Sequence, residues 1–501
     1  MTDAKSRYGA ADVRYVAAFQ PESAPARLRL ALAMADTWWN PPDPERMTVL
    51  DIGCGRGLSA CLLAAANPGW DVIGLDLQPV HIEEAREVAR QGGIDNARFI
   101  EADLAELTEV NSPDLLPELD VVICHGVWSW VPDPVRDGIV RMLKSRLKPG
   151  GVILLGYNAL PGYADTLHFQ RLVDEAARSL PGDDAQRGLA AIEAIVALRE
   201  QAPLYLPEPR VLEHIVNAAR NAPAYMVHEW LTSFWRPAYH ADVARALVPA
   251  RLEYGGTARP AGSMPELQLN PEQRAALAAA PAGIARETLL DTFLARRFRT
   301  DIFIRGRRPG GRALLGPTML ALTAPADRTK IEIVTPSGTL ELKPPQRDAL
   351  LEALSDGPKT IAELADLPAC ATLNHIDIAL MLVESQAAEP LWRAPRHDPA
   401  DNARLARCCD SLLRHFAPEA SAMRAPIGVP IAAMGSALPV GASELALCGA
   451  LLSGLPPDPV VLSRHLARPQ GDEDARARAE TGIAQVLEGL LPTWRAMGIL
   501  P

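Results

Sequence analysis

The sequence predicts an α/β fold with an open parallel sheet that reaches seven strands, broken by a helical insertion and followed by two further units. Three observations predict it. Residues 48–57, Thr-Val-Leu-Asp-Ile-Gly-Cys-Gly-Arg-Gly, run from a short buried strand through alternating glycines into an apolar, Ala-rich helix at Leu58–Ala66. Short apolar runs recur after it, separated by helical and turn sequence. Three successive runs end at acids: Asp51, Asp76 and Asp103. Ligands of such sheets bind outside the carboxyl ends of the strands, so the glycines and the acids converge there.

The glycine spacing narrows the ligand. A dinucleotide loop reads G-x-G-x-x-G, but here the third glycine follows one residue: Asp51-x-Gly53-x-Gly55-x-Gly57. Asp51 beside a pyrophosphate would cost on the order of 1 kcal/mol or more. A ligand with an ammonium and a sulfonium tolerates it. The loop resembles that of class I S-adenosylmethionine-dependent methyltransferases, which implies a Rossmann-like sheet and S-adenosyl-L-methionine as cofactor. The resemblance places Asp51, Gly53, Cys54, Gly55 and Gly57 at the methionine end, Asp76 and Leu77 at the ribose, Asp103 and Leu104 at the adenine, and His125 beside the methyl group.

The elements follow in order. Ser23 caps an expected helix from Ala24 to about Trp38, with Pro25 in its first turn. Tyr8, Tyr15 and Phe19 before it are lid candidates. The strands are Val49–Ile52, Trp70–Leu75, Ala97–Glu101, Leu119–Cys124 and Val152–Tyr157, and a helix at His81–Gln91 stops at Gly92-Gly93. After the fourth strand stands His125-Gly-Val-Trp128-Ser-Trp130-Val-Pro132. An amine acceptor needs an apolar, aromatic slot that disfavours its charged form. His125 and Trp128 therefore read as catalytic, with His125 the proton acceptor. Tyr157 and Asn158, at the end of the fifth strand, would orient the amine. Residues 165–248 show helical spacing and read as a cover or a dimer surface. Arg251–Gly255 and Arg299–Arg305 complete the seven strands. Between them Asn270-Pro-Glu-Gln273 opens one helix, and a second is expected at Arg286–Arg297.

Beyond residue 310 a hairpin is expected at Ile331–Lys343 and helices at Pro345–Leu354, from Thr360 and at His375–Ala387. These suggest a winged-helix-like domain at 311–395. Its would-be recognition helix, Asn374–Glu389, has no Lys or Arg and carries Asp377, Glu384 and Glu389, which argues against DNA readout. Residues 396–501 read as a mostly helical domain. The other divisions are 1–164, 165–248 and 249–310.

Composition sets outer bounds. The chain has 501 residues, more than one ordinary core. Its net charge of -11 disfavours broad nucleic-acid binding. Seven scattered cysteines, with no C-x-x-C pair, fit a reducing cytoplasm rather than a disulfide framework. No H-x-x-x-H spacing supports a metal. Met1–Arg7 does not read as a secretory signal. The uncharged run after Ala425 contains Pro426, Pro430 and Pro439, so packed short elements are expected there rather than a membrane span.

The order of parts is similar to a bacterial methyltransferase family with a methyltransferase regulatory domain. The matching residues are Asp51–Gly57, His125–Pro132, Tyr157-Asn158 with Pro161-Gly162-Tyr163, the stretch around His228-Glu229-Trp230, and Arg297–Asp301 through Arg305-Gly306. Members include protein-lysine methyltransferases acting on outer-membrane proteins, which implies a protein lysine as acceptor. A small-molecule N- or O-methyltransferase, or a non-catalytic cofactor-binding interaction protein, are the alternatives.

Overall fold

The computed structural model describes residues 17, 19–198, 201, 206–221, 230–232, 234–335, 338–423, 425–466 and 473–501. Its centre is a seven-stranded sheet. The strands are β1 (Thr48–Ile52), β2 (Asp71–Asp76), β3 (Ala97–Glu101), β4 (Leu119–His125), β5 (Leu147–Asn158), β6 (Leu252–Thr257) and β7 (Phe298–Arg305). Their order is β3-β2-β1-β4-β5-β7-β6, and β7 runs antiparallel to both neighbours. All seven expected strands are present, with ends shifted by a few residues.

Both faces of the sheet are covered, so its strands are apolar on both sides rather than alternating. Val49, Val72, Val121, Val152 and Ile302 face one core. Leu50, Ile73, Val122, Ile153 and Phe303 face the other. Helices α1 (Pro25–Met34), α2 (Leu58–Ala66) and α3 (Pro79–Gly92) lie on the first side. Helices α4 (Ser112–Leu115) and α5 (Asp133–Arg146), with helix His240–Leu247, pack on or beside the second.

Helix α1 departs from its expected start and end. Ser23 ends a 3-10 turn, Pro21–Ser23, and its hydroxyl donates to the Gln20 carbonyl at 2.6 Å; it does not cap α1, whose N-cap is Ala24. The helix stops at Met34, since Asp36 takes φ 54 and Thr37 turns away to bridge Pro309. It is apolar nearly all round because it is buried on two sides. Leu28 and Leu32 meet the sheet, while Leu30, Ala33 and Met34 enter the core of residues 311–395. Phe19 is 2% exposed within the sheet core, so it is packing and not a lid. Tyr8, Tyr15 and His228-Glu229 lie outside the described residues.

The insertion forms helices Leu167–Ala177, Asp184–Ala197 and Pro209–Asn221 around its own small core with Trp230. The Asn270 capping box is present as expected. In residues 311–395, strands β8 (Met319–Leu322), β11 (Lys359–Thr360) and β12 (Ala388–Pro390) form a three-stranded sheet, and the hairpin β9–β10 (Glu332–Thr335, Gly338–Glu341) comes before the three helices. In the third helix, His375–Glu384, residues 378–383 are buried, which leaves that stretch no face for a groove.

Among the described residues, the last hundred do not form a core of their own. Helices Pro399–Met423, Ala442–Leu452 and Glu473–Ala496 share one hydrophobic core with β1, α2 and α3. The uncharged run after Ala425 holds a two-stranded ribbon, β13 (Val429–Ile431) and β14 (Ser436–Leu438), packed on α2. Among the described residues no helix is long and apolar enough to cross a membrane.

Candidate active site

The site is built on the loop that β1 delivers. Gly53, Gly55 and Gly57 take φ of 68°, 52° and 84°, values that side chains rarely adopt. A Cβ at Gly53 would collide with the Val127 side chain, and one at Gly57 would lie 2.7 Å from the Ala85 Cβ. At Gly55 a Cβ would meet open space, so that side of the turn faces outward. Gly53 N–H and Cys54 N–H donate to the Leu75 carbonyl at 2.7 and 3.1 Å, pinning the loop to β2.

Asp76 fastens the same loop from the end of β2. Its carboxylate accepts from Gly55 N–H at 2.9 Å and from Gln78 N–H at 2.9 Å, with His81 Nδ1 at 3.4 Å. Asp103 caps the 3-10 turn Leu104–Glu106 through Ala105 N–H, 2.8 Å away. Leu104 is buried and Leu77 half-buried. Asp51 is buried, and its carboxyl is pushed up to about 7, first by burial and then by Asp76. Burial also pushes the Cys54 thiol up, with Asp51 and Asp76 adding to it.

Arg56 is the only cation of residues 51–57. It turns away from the loop into Glu84 and Glu419. The ligand side therefore keeps the carboxylates of Asp51 and Asp76 with no cation of the loop to balance them. That charge suits an ammonium or a sulfonium and opposes a pyrophosphate. The open Gly55 turn and the strand-end acids thus fit S-adenosylmethionine.

The acceptor side follows from strand register. His125 pairs with Gly156, and Asn158 pairs with Phe298. Side chains alternate along a strand, so His125, Asn158 and Phe298 share one face, the face that Asp51 also takes through its Ile123 pairing. A Cβ at Gly156 would lie 2.6 Å from His125 Cδ2, so only glycine admits the ring. The rings of His125 and Phe298 stand 5.2 Å apart. Phe298 is 38% exposed and forms an open wall. Burial lowers the pKa of His125, against a smaller opposing pull from Glu22. Asn158 is buried, its backbone N–H donates to Ser129 Oγ at 2.8 Å, and its Nδ2 has no hydrogen-bond partner among the described residues.

The four side chains expected to be catalytic thus separate. His125 and Asn158 come together. Tyr157 points to the opposite face, where its hydroxyl donates to Asp301 Oδ2 at 2.7 Å, so it does not reach the ligand end. Trp128 is buried in the core under α5, its carbonyl accepting from Arg136 Nε at 2.8 Å, and it lines no slot. Trp130 is half-buried. Phe298 is not legible as a wall residue in the sequence, because only its antiparallel pairing with Asn158 brings it beside His125. A second aromatic group lies just beyond β5. Tyr163 meets Trp235 at 5.4 Å, Trp235 meets Trp230 at 6.1 Å, and Arg297 stands 4.3 Å over the Tyr163 ring.

A sheet in this order, with one antiparallel strand, a glycine loop and strand-end acids, defines a class I methyltransferase. Comparison with known proteins agrees. Residues 43–181 match a methyltransferase domain, and residues 222–305 match a predicted methyltransferase regulatory domain. An uncharacterised protein of Synechocystis sp. is 29% identical over 380 residues, 74% of each chain. Trans-aconitate 2-methyltransferase of Methylobacterium radiotolerans is 31% identical over 236 residues, 47% of this chain and 75% of that protein. The structure of PKMT2 from Rickettsia typhi in complex with AdoHcy superposes with a TM-score of 0.68 at 17% identity, covering 97% of this chain and 99% of that one. The chain belongs to the class I S-adenosylmethionine-dependent methyltransferases that carry a methyltransferase regulatory domain. Its cofactor is S-adenosylmethionine.

Proposed function

We propose that the enzyme methylates lysine side chains of a protein acceptor, with His125 taking the proton that the amine loses. The observation that carries this reading is the placement of His125. It is held neutral by burial, set against Phe298, and on the sheet face of Asp51. A methyl acceptor nitrogen must be uncharged to act as a nucleophile. An apolar wall beside a neutral imidazole favours that form and gives the proton a place to go. The cofactor supplies a methyl group on a positively charged sulfur. The chain's residues would bind, orient and deprotonate: Gly53, Gly55 and Gly57 would cradle the methionine end, Asp51 would face its ammonium, Asp76 would hold the ribose and Asp103 the adenine. Asn158 offers its Nδ2, which has no partner among the described residues, to orient the acceptor.

A protein acceptor is further supported by length. PKMT2, by its name a protein lysine methyltransferase, matches this fold over nearly the whole chain, whereas trans-aconitate 2-methyltransferase matches less than half of it. That second relative favours a small-molecule acceptor as the other reading.

The test is incubation of purified enzyme with S-adenosylmethionine and candidate proteins, followed by mass spectrometry of the digested acceptors. Methylated lysines are expected. Turnover of a small acid with no modified side chain would replace this reading with the second. His125→Ala should lower turnover roughly 10²-fold with little change in S-adenosylhomocysteine affinity by calorimetry.

A further inference from the structure

We propose that Glu419, on the C-terminal helix Pro399–Met423, is a positioning residue of the cofactor site that acts through Arg56. The inference rests on the cofactor and is independent of the acceptor.

Arg56 stands between Gly55 and Gly57, at the tip of the cofactor loop, yet its side chain is 1% exposed. Its guanidinium is held on several sides. Nε and Nη2 donate to the two Glu84 oxygens of α3 at 2.9 and 2.7 Å. Nη2 also donates to the His415 carbonyl at 2.7 Å, and Nη1 donates to Glu419. The Phe416 ring lies 4.9 Å from the guanidinium carbon. Three of these contacts come from one turn of the C-terminal helix, residues 415–419.

The helix that makes them is itself fixed to the cofactor half. Ser411 Oγ donates to the Val88 carbonyl of α3 at 2.8 Å, and Arg404 Nη1 donates to the Ala65 carbonyl of α2 at 2.7 Å. Cys408 packs against Gly92 at the end of α3. Helices α2 and α3 follow the glycine loop and Asp76 respectively, so the C-terminal helix braces the two elements that start at the ligand.

The physical need for a brace lies in the loop itself. Glycine loses more conformational freedom on ordering than any other residue. A turn with three glycines in left-handed conformations must be ordered each time a ligand binds, unless something orders it beforehand. Asp76 holds one side of the turn through Gly55 N–H. Arg56 holds the other, and a planar guanidinium gripped by two carboxylates fixes direction as well as distance. Loss of Glu419 leaves Arg56 on Glu84 alone among these carboxylates and frees the tip.

Glu419→Ala in the full chain, titrated calorimetrically with S-adenosylhomocysteine, tests this. The expected result is an increase in Kd on the order of tenfold, faster amide exchange at residues 53–57, and a rise in KM for S-adenosylmethionine larger than the fall in kcat. Glu419→Gln, which keeps an acceptor but no charge, should recover part of the affinity. Asp410→Ala, which breaks an exposed pair with Arg414 on the same helix, should leave Kd unchanged. A lowered melting temperature with unchanged Kd would overturn the proposal and reduce the clasp to a stabilising contact. Should Glu419→Ala not fold, Arg56→Lys gives the same readout, and an unaltered Kd there would overturn it equally.

Discussion

Asp51 sits at the end of β1 with its carboxyl pushed up to about 7, first by burial and then by Asp76. Between about pH 4 and about pH 7 the folded chain keeps a proton there that the unfolded chain has lost, so this group's contribution to stability falls as pH rises through that window. The same proton competes with the cofactor. A cation beside Asp51 favours the ionised form, so binding below pH 7 must expel the proton. The affinity for S-adenosylmethionine should therefore rise by up to about tenfold per pH unit towards neutrality and then level off. Calorimetry from about pH 5.5 to about pH 7.5 checks this. Asp51→Asn should bind more weakly and lose the slope, and a flat profile in the unsubstituted chain would show that Asp51 does not face the cofactor's charge. At this scale the glycines and acids were legible, because strand ends in a parallel sheet have one place to go. Tyr157 and Asn158 were not separable, because neighbouring residues of a strand point to opposite faces and only the register settles which.

The pairing of β5 with β7 buries a charge network that belongs to elements rather than to any one residue. Arg299 donates through Nε to Asp301, through Nη1 to both oxygens of Asp291, and through Nη2 to Glu287 at 2.9 Å and to the Tyr254 hydroxyl at 3.2 Å. Tyr157 and His240 complete the shell of Asp301. Burial alone would raise Asp301, but Arg299 and His240 outweigh it and hold its carboxyl well below the usual carboxylate range. Its stabilising part is therefore present above about pH 4 and lost as pH falls further. Arg299→Leu strands three carboxylates beside each other and should cost about 3–5 kcal/mol in urea unfolding near neutrality. The deficit should shrink as pH is lowered, since the stranded acids then take up protons. A deficit independent of pH would mean that packing, not charge, is what Arg299 supplies. Capping was legible because it is local: Asn270 and Thr360 cap their helices as their spacing implied. Ser23 failed because Pro21 starts a 3-10 turn that claims its hydroxyl first. The network itself was unreadable, since its members come from five separate segments and no periodicity links them.

In the whole molecule, the helical stretch of residues 396–501 shares its core with the sheet domain. The apolar faces beyond residue 396 close onto α2 and α3 and share their core. An apolar face does not name its partner in the sequence, so the division at 396 looked natural. The shared core makes a thermodynamic demand. Two domains with separate cores would open independently, while one core opens as a unit. Native-state hydrogen exchange should find α3 and the helix Pro399–Met423 losing protection together, with one opening free energy. Ending the chain at residue 395 would uncover the face of α2 that β13–β14 protects, together with Ala85 and Val88 of α3, and would leave Arg56 without its C-terminal partners. Such a chain is expected to lose cooperative unfolding and S-adenosylhomocysteine binding together. If it kept a sharp urea transition and bound the cofactor normally, residues 396–501 would be an attached domain after all, and the brace on Arg56 would have no role in the site.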